Sequence, residues 1–257
     1  MGASLPPPDP PPAPQGGTKP TIVFVPGAWH RSLIYSSVIV LLERAGYPCL
    51  TIELPSVGGR VSSLAEDSDE ISNLLTKLVS AGREVVLVMH SYGGLPGAAA
   101  VKGLGKREGR QGSVVHLVFL GSFVLDEGEA ALDLLQGQLP PWVAPEDDGK
   151  TLRCINAQEL WYHELSRSDA AKWASQLRPQ CSITFLDPVQ HAGWKHIPST
   201  YLITELDRAV PVVVQEGMVA RAKGVKVERC RAGHAVMLSH PEVVARLVRR
   251  VAGEDLA

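Results

Sequence analysis

A serine at position 91 follows an apolar run and precedes two glycines. The run Glu84–Met89 is rich in valine and predicts a buried strand, while the residues from Tyr92 onward predict a helix. A sharp strand-to-helix turn at a serine presents its hydroxyl above the carboxyl end of the strand, where it can act as a nucleophile. The usual spacing is Gly-x-Ser-x-Gly; here Gly93 is present, but Met89 replaces the first glycine. The alternative interpretation is that Ser91 only caps the helix.

A serine hydroxyl needs a base before it becomes a good nucleophile, and eight histidines are available. His234 follows the last predicted strand and Gly233, on a loop that could face the serine. His90 is expected to point away from Ser91, whereas His30, just after the first strand, could approach a pocket. The other histidines are expected in the core, in or after the inserted segment without metal-ligand spacing, or on the last helix: His116, His163, His191, His196 and His240. No metal site is therefore predicted.

The base in turn needs a carboxylate that orients it and stabilises the imidazolium. Asp207 is the preferred candidate because it lies just beyond the end of the predicted strand Ser199–Thr204. Glu205 is a first reserve, and Asp126, after the fourth strand, is a second. Three such residues at the ends of three different strands, in the order serine, acid, histidine, are harder to explain by chance than any one alone.

Acyl transfer also needs hydrogen-bond donors placed around the developing oxyanion. The backbone N–H of Tyr92, the residue after the serine, is one candidate. The loop after the first strand offers the second, because Gly27 permits a close backbone approach and Ala28 can donate its N–H. The alternative is that this loop is a simple turn.

The elements that must position these residues alternate between short apolar runs and amphipathic segments. Such alternation favours an α/β fold with a mainly parallel six-stranded sheet flanked by helices. The predicted strands are Thr21–Val25, Cys49–Glu53, Glu84–Met89, Val114–Leu120, Ser199–Thr204 and Val225–Cys230. The predicted helices are Ser32–Ala45, Ser63–Ser80, Tyr92–Gly103, Ala209–Ala222 and Pro241–Ala252.

Three domain-level segments are predicted. Residues 1–19 are rich in proline and form a disordered or polyproline-like arm, and residues 20–257 form the catalytic domain. Residues 126–198 interrupt the alternation, show no clear strand and form a helical lid inserted after the fourth strand. The aromatic residues expected to contact substrate are Trp29 and His30 near the first strand and Trp161 and Trp194 in the lid.

Composition excludes several classes of function. The 257 residues carry 25 basic and 27 acidic side chains, so the net charge of -2 gives no broad field for nucleic acid or an anionic membrane. No apolar run is long enough to span a bilayer. The start of the chain lacks a basic and apolar leader, and the four cysteines form no regular pattern, so a cytoplasmic protein with reduced thiols is expected.

Four motifs together resemble the α/β-hydrolase superfamily from about Thr21 to Val251. They are Pro-Gly-Ala-Trp-His (26–30), His-Ser-Tyr-Gly-Gly (90–94), Leu-Asp-Arg-Ala-Val-Pro (206–211) and Ala-Gly-His (232–234). The chain is most similar to the small single-domain branch with plant methylesterases, hydroxynitrile lyases and fungal or bacterial esterase-like proteins. The resemblance implies a triad of Ser91, Asp207 and His234 and an oxyanion hole at Ala28 and Tyr92.

The sequence departs from this branch at three places. Pro26 stands where a histidine is common, and Met89 replaces the first glycine at the serine. The hydroxynitrile lyases carry a threonine at the position of Gly27 and a lysine at that of Ala235. Both lyase groups are absent here, which disfavours cyanohydrin cleavage.

The expected function is therefore a serine hydrolase that cleaves an ester or lactone of a small apolar or aromatic substrate, in secondary metabolism. A cyclase or lyase on the same fold and a non-catalytic ligand receptor remain alternatives, because a fold does not fix its chemistry. No metal or organic cofactor is implied. A small-molecule substrate is the expected partner, with no nucleic acid or membrane, and a homodimer is left open.

Overall fold

The computed structural model describes residues 19–59, 61–135 and 137–256. The predicted Pro-rich arm therefore lies outside the described residues, except for Lys19. Its ammonium group donates to the carbonyl of Ala45 at 2.7 Å and lies 4.3 Å from the centre of the Tyr47 ring. Lys19 thus belongs to the folded domain, one residue earlier than the sequence predicts.

The described residues form strands in two sheets. The strands are β1 Thr21–Val25, β2 Cys49–Thr51, β3 Glu84–His90, β4 Ser113–Leu120, β5 Val143–Pro145, β6 Thr151–Cys154, β7 Gln180–Cys181, β8 Ser199–Thr204 and β9 Lys226–Cys230. The main sheet has six strands in the order β2-β1-β3-β4-β8-β9, and every neighbouring pair is parallel. The predicted six-stranded parallel sheet is confirmed.

The inner strands are buried on both faces, as their near-continuous apolar sequences predict. All of β1 and β8 is buried, and β3 is buried from Val85 onward. The carboxyl ends of these strands therefore form a rigid rim on which the following loops are placed.

Helices pack around this sheet. Their bounds are α1 Ser36–Arg44, α2 Leu64–Ser80, α3 Gly94–Ala100, α4 Ala131–Leu134, α5 Ala157–Trp161, α6 Arg167–Ala174, α7 Ile183–Leu186, α8 Val212–Arg221, α9 Val236–Ser239 and α10 Pro241–Val251. Helix α1 packs against α10, and α2 packs against α3. None of the described helices is both long and apolar enough to cross a membrane.

The insertion 126–198 differs from its predicted form. It contains the short helices α4 to α7, but it also holds the antiparallel sheet β5-β6-β7. The expectation that this segment has no strand is wrong. Its strands are only two to four residues long, and so short a segment cannot display the alternation by which a strand is recognised.

Candidate active site

Ser91 lies at the turn between β3 and α3 in a backbone conformation that few side chains adopt. Its φ is +51°, in the left-handed region. The carbonyl of Ser91 accepts hydrogen bonds from the Ser122 hydroxyl at 2.6 Å and the Phe123 N–H at 3.0 Å. The segment after β4 therefore holds the strained turn in place. This is the strand–turn–helix geometry that the sequence predicts around the serine.

Close backbone contacts explain the glycines that follow the serine. A Cβ on Gly93 would lie 2.5 Å from the carbonyl oxygen of Pro26, and one on Gly94 would lie 2.2 Å from the Ser122 hydroxyl. Met89, at the position of the usual first glycine, is accommodated differently. A Cβ on Gly97 in α3 would lie 2.4 Å from the Met89 sulfur, so Gly97 supplies the space that Met89 fills.

His234 lies on the loop after β9 and is paired with Asp207. Its Nδ1 donates to Oδ2 of Asp207 at 2.8 Å, and both side chains are almost completely buried. A carboxylate on Nδ1 fixes the tautomer, so that Nε2 presents its lone pair and can accept a proton. Ser91 and His234 line the same pocket. The structure thus brings the three predicted side chains to one rim of the sheet.

Backbone and side-chain donors hold the Asp207 carboxylate in its orientation. Oδ1 accepts from the N–H groups of Ala209 and Val210, each at 2.8 Å. Oδ2 also accepts from the Thr204 hydroxyl at 2.9 Å. Together with His234, these donors surround a carboxylate that is closed to water, which compensates for its desolvation. Thr204 is a supporting residue that was not predicted, although its place at the end of β8, three residues before Asp207, is a local signal that could have found it.

The two reserve carboxylates are used elsewhere. Glu205 accepts from Arg229 at 2.8 Å on the exposed surface. Asp126 is paired with Lys195, at the beginning of the insertion. Neither pairs with the imidazole of His234.

His90 fastens the serine turn to the histidine loop. Its Nε2 donates to the backbone carbonyl of His234 at 3.0 Å, and the centroids of the two rings lie 4.5 Å apart. Burial lowers the pKa of His90 well below its usual value, so the ring is neutral. This hydrogen bond gives His90 a structural role.

His30 ties the loop after β1 to the insertion. Its Nδ1 donates to the carbonyl of Ala28 at 2.8 Å, and its Nε2 accepts from the Tyr162 hydroxyl at 2.7 Å. Burial lowers the pKa of His30 to about 4, so this arrangement is kept at neutral pH.

The two backbone N–H groups predicted to bind an oxyanion belong to residues of the pocket that holds Ser91. Ala28 and Tyr92 both line the pocket that holds Ser91. Within the described part of the chain, neither N–H group donates to a backbone carbonyl outside the regular elements. Their role as the pair of oxyanion donors stays a prediction.

A buried chain of hydrogen bonds connects Tyr92 to the loop after β1, which carries the other donor. The Tyr92 hydroxyl donates to Asp67 at 2.6 Å, and Asp67 also accepts from Ser56. The Ser56 hydroxyl in turn accepts from the amide of Gln180, whose oxygen accepts the Trp29 N–H at 3.3 Å. These bonds fix the serine turn relative to that loop. They were not predicted, because an acid in α2 and a glutamine in β7 give no local signal of their contact.

A pocket that opens to solvent lies above Ser91. No acidic or basic side chain other than histidine lines it in the described ranges 19–59, 61–135 and 137–256. The insertion contributes its aromatic and aliphatic wall: Leu134, Leu135, Leu139, Pro140, Trp142, Val143, Trp161 and Phe185. Such a surface favours apolar or aromatic ligands.

Three of the four predicted substrate-binding residues line this pocket: Trp29, His30 and Trp161. Trp194 does not. Its indole donates to the carbonyl of Leu125 at 2.9 Å, and Lys195 lies 5.5 Å from its ring centre. The prediction for Trp194 therefore does not match its place in the structure, since its side chain anchors the end of the insertion to the segment after β4.

Comparisons with known proteins identify the family and the fold of the chain. Residues 22–247 match a family described as the alpha/beta hydrolase family. The chain is 34% identical to alpha/beta hydrolase nvfD of Aspergillus novofumigatus, over 93% of this chain and 98% of that protein. It is 23% identical to methylesterase 17 of Arabidopsis thaliana, over 91% of each chain. The crystal structure of polyneuridine aldehyde esterase superposes with a TM-score of 0.76 at 17% identity, over 91% of this chain and 100% of that one.

Proposed function

Because the chain belongs to the alpha/beta hydrolase family, we propose that it is a serine hydrolase that cleaves an ester or lactone of a small apolar or aromatic substrate. The hydrogen bond between His234 and Asp207, in the pocket that Ser91 lines, is the observation that carries this proposal. The names of the fungal hydrolase and the plant methylesterase support it for the reaction class.

In the proposed first half-reaction, Nε2 of His234 takes the proton from the Ser91 hydroxyl as its oxygen attacks the ester carbonyl carbon. The carbonyl π electrons move onto oxygen, and the N–H groups of Ala28 and Tyr92 stabilise this oxyanion. Asp207 stabilises the imidazolium. Collapse of the intermediate breaks the ester bond, and His234 gives its proton to the leaving alcohol oxygen.

The second half-reaction hydrolyses the acyl-enzyme. Water attacks the acyl carbon while His234 removes one of its protons, and the same two N–H groups stabilise the second oxyanion. Collapse breaks the bond to the Ser91 oxygen, which recovers a proton from His234. The products are a carboxylic acid and an alcohol, and the side chains return to their starting state.

The pocket supports the proposed class of substrate. Its wall from the insertion is aromatic and aliphatic, and the described lining residues offer no lysine or arginine that would pair with a substrate carboxylate. A neutral ester would therefore be favoured over a charged one, because a charge buried there would remain unpaired.

Cyanohydrin cleavage finds no support at Gly27. A Cβ there would lie 2.9 Å from Nδ1 of His90 and 3.0 Å from Cβ of Ser91. The threonine that the lyases carry at this position would therefore require the serine turn to move.

The proposal is tested by product analysis in ¹⁸O-labelled water with neutral aromatic esters. Hydrolysis through an acyl-enzyme places one ¹⁸O atom in the acid product. Ser91→Ala is expected to lower kcat by about 10³–10⁶-fold, while Ser175→Ala, at an exposed position after α6, serves as the matched control. Near-wild-type turnover by Ser91→Ala, or turnover without label, would rule out the mechanism.

A further inference from the structure

Three side chains with metal-binding atoms meet at the base of the insertion. Glu127 lies where the insertion leaves β4, and His191 and His196 lie where it returns to β8. Their ligand atoms are all within 4.8 Å of one another. Nδ1 of His191 is 3.1 Å from Oε1 of Glu127, and the two imidazole rings stack with centroids 5.1 Å apart.

The backbone holds this cluster together from both sides. The N–H of Ala192 donates to the same Glu127 oxygen at 3.1 Å, and the N–H of Gly128 donates to the carbonyl of Val189 at 2.9 Å. The short 3-10 turn Gly193–Lys195 lies between the two histidines.

Gly193 fixes that turn against α3. A Cβ there would lie 2.3 Å from Cγ2 of Val101 and 2.6 Å from the carbonyl oxygen of Ala98. The backbone separation of His191 and His196 is therefore set by packing. The ligand atoms, within 4.8 Å of one another, would have to move closer together to share one ion.

We propose that Glu127, His191 and His196 bind a divalent transition-metal ion of the zinc type. Two imidazoles and one carboxylate are ligands that zinc accepts at about 2.0–2.2 Å, with a water molecule completing a tetrahedral site. Magnesium and calcium prefer sites made of oxygen alone, so they are the wrong class of ion for this cluster.

Some groups around the cluster favour the binding of a cation, and others oppose it. Burial lowers the pKa of His191, which favours the neutral imidazole that binds metals. The Ala192 N–H and, to a smaller extent, Lys195 lower the pKa of Glu127, and Lys102 lowers that of His191. Lys106 and Arg107 line the same hollow as the two histidines, so these four basic side chains oppose a cation: Lys102, Lys106, Arg107 and Lys195. Lys195 is paired with Asp126, which offsets its charge. The carboxylate of Glu127 is therefore essential for affinity.

The site is separate from the proposed active site. None of the three residues lines the pocket that holds Ser91. Because Glu127 and the histidines come from the two ends of the insertion, a bound ion would join these ends. The sequence gives no sign of this, since Glu127 precedes His191 by 64 residues.

Zinc titration of the full chain by calorimetry, after removal of metals with EDTA, tests the proposal. We expect one equivalent of Zn²⁺ to bind and the melting temperature to rise with zinc. Glu127→Gln and His196→Ala should each weaken binding by about tenfold or more, while His240→Ala, which removes an imidazole outside the cluster, should bind like the wild type. Melting temperatures in EDTA establish that each variant is folded.

Cysteine thiols are the other groups in the chain that could bind zinc, so the test must distinguish them from the proposed ligands. Burial raises the pKa of Cys49 and of Cys154 to about 12, so these thiols are protonated at neutral pH and bind zinc poorly. Co²⁺ bound in place of Zn²⁺ then identifies the ligand atoms by its visible spectrum. We expect a spectrum of nitrogen and oxygen ligation without a thiolate charge-transfer band. Absence of zinc binding by the wild type, equal affinities in all variants, or a thiolate band would overturn the proposal.

Discussion

The carboxyl edge of the main sheet and the insertion 126–198 form opposite sides of one pocket, but different forces hold them. At the sheet edge, Ser91 and Asp207 are fixed by backbone donors and by the register of buried parallel strands. In the insertion, short helices and a three-stranded sheet present aromatic side chains, which pack on one another. We infer that the sheet edge determines the reaction and the insertion determines the substrate.

The largest effect is expected at the sheet edge, from Asp207→Asn. The asparagine amide cannot fix the same tautomer of His234, so kcat for ester hydrolysis should fall by about 10⁴-fold with little change in KM. Glu205→Gln is the matched control, because Glu205 lies on the same loop and bonds Arg229 instead. Steady-state kinetics of the two variants check this. A larger loss in Glu205→Gln would show that Asp207 is not the acid that acts with His234.

The pH dependence of the free energy of unfolding tests the contact that His30 makes between the two regions. Its pKa is about 4 in the folded chain against about 6.5 for a histidine in water, so the unfolded chain binds the proton more readily between these values. The neutral state of His30 therefore contributes fully to the free energy of unfolding above about pH 6.5. As the pH falls through 4 this contribution is lost, and the free energy of unfolding decreases by about 3 kcal/mol. Urea unfolding measures the free energy of unfolding across this pH range. It should decrease less with falling pH in His30→Asn than in the wild type, and the asparagine keeps a donor near Ala28. Identical pH profiles for the variant and the wild type would contradict the neutral state assigned to His30.

The smallest effect is expected within the insertion, where Trp161 lies in the pocket and Trp194 lies outside it. Trp161→Ala should raise KM for aromatic esters about tenfold and change kcat much less. Trp194→Ala should leave KM unchanged, because its indole bonds the Leu125 carbonyl away from the pocket. Kinetics with matched aromatic and aliphatic esters measure both values. If Trp194→Ala raised KM as much as Trp161→Ala, the proposed division between the regions would fail.

The same division explains what the sequence could predict. All six strands of the main sheet were predictable within about two residues. The inner strands β1, β3, β4 and β8 are buried runs with a clear apolar pattern, whereas the edge strands β2 and β9 are largely exposed. The serine turn, Asp207 and His234 were predictable from their places at strand ends.

The rest depends on contacts between residues far apart in the chain. The space that Gly97 gives to Met89 and the hydrogen bonds from Tyr92 through Asp67 to Gln180 arise only after folding. The aromatic content of the insertion was visible in the sequence, but its packing was not, so Trp161 and Trp194 could not be told apart.

The whole proposal depends on Ser91 being a nucleophile that His234 activates. Reaction of the folded chain with a fluorophosphonate, followed by peptide mass spectrometry, measures this without a known substrate. We expect one adduct, on Ser91, and much slower labelling in His234→Ala. A folded wild-type chain that stays unmodified at Ser91, or one labelled equally fast without the imidazole, would contradict the proposed mechanism.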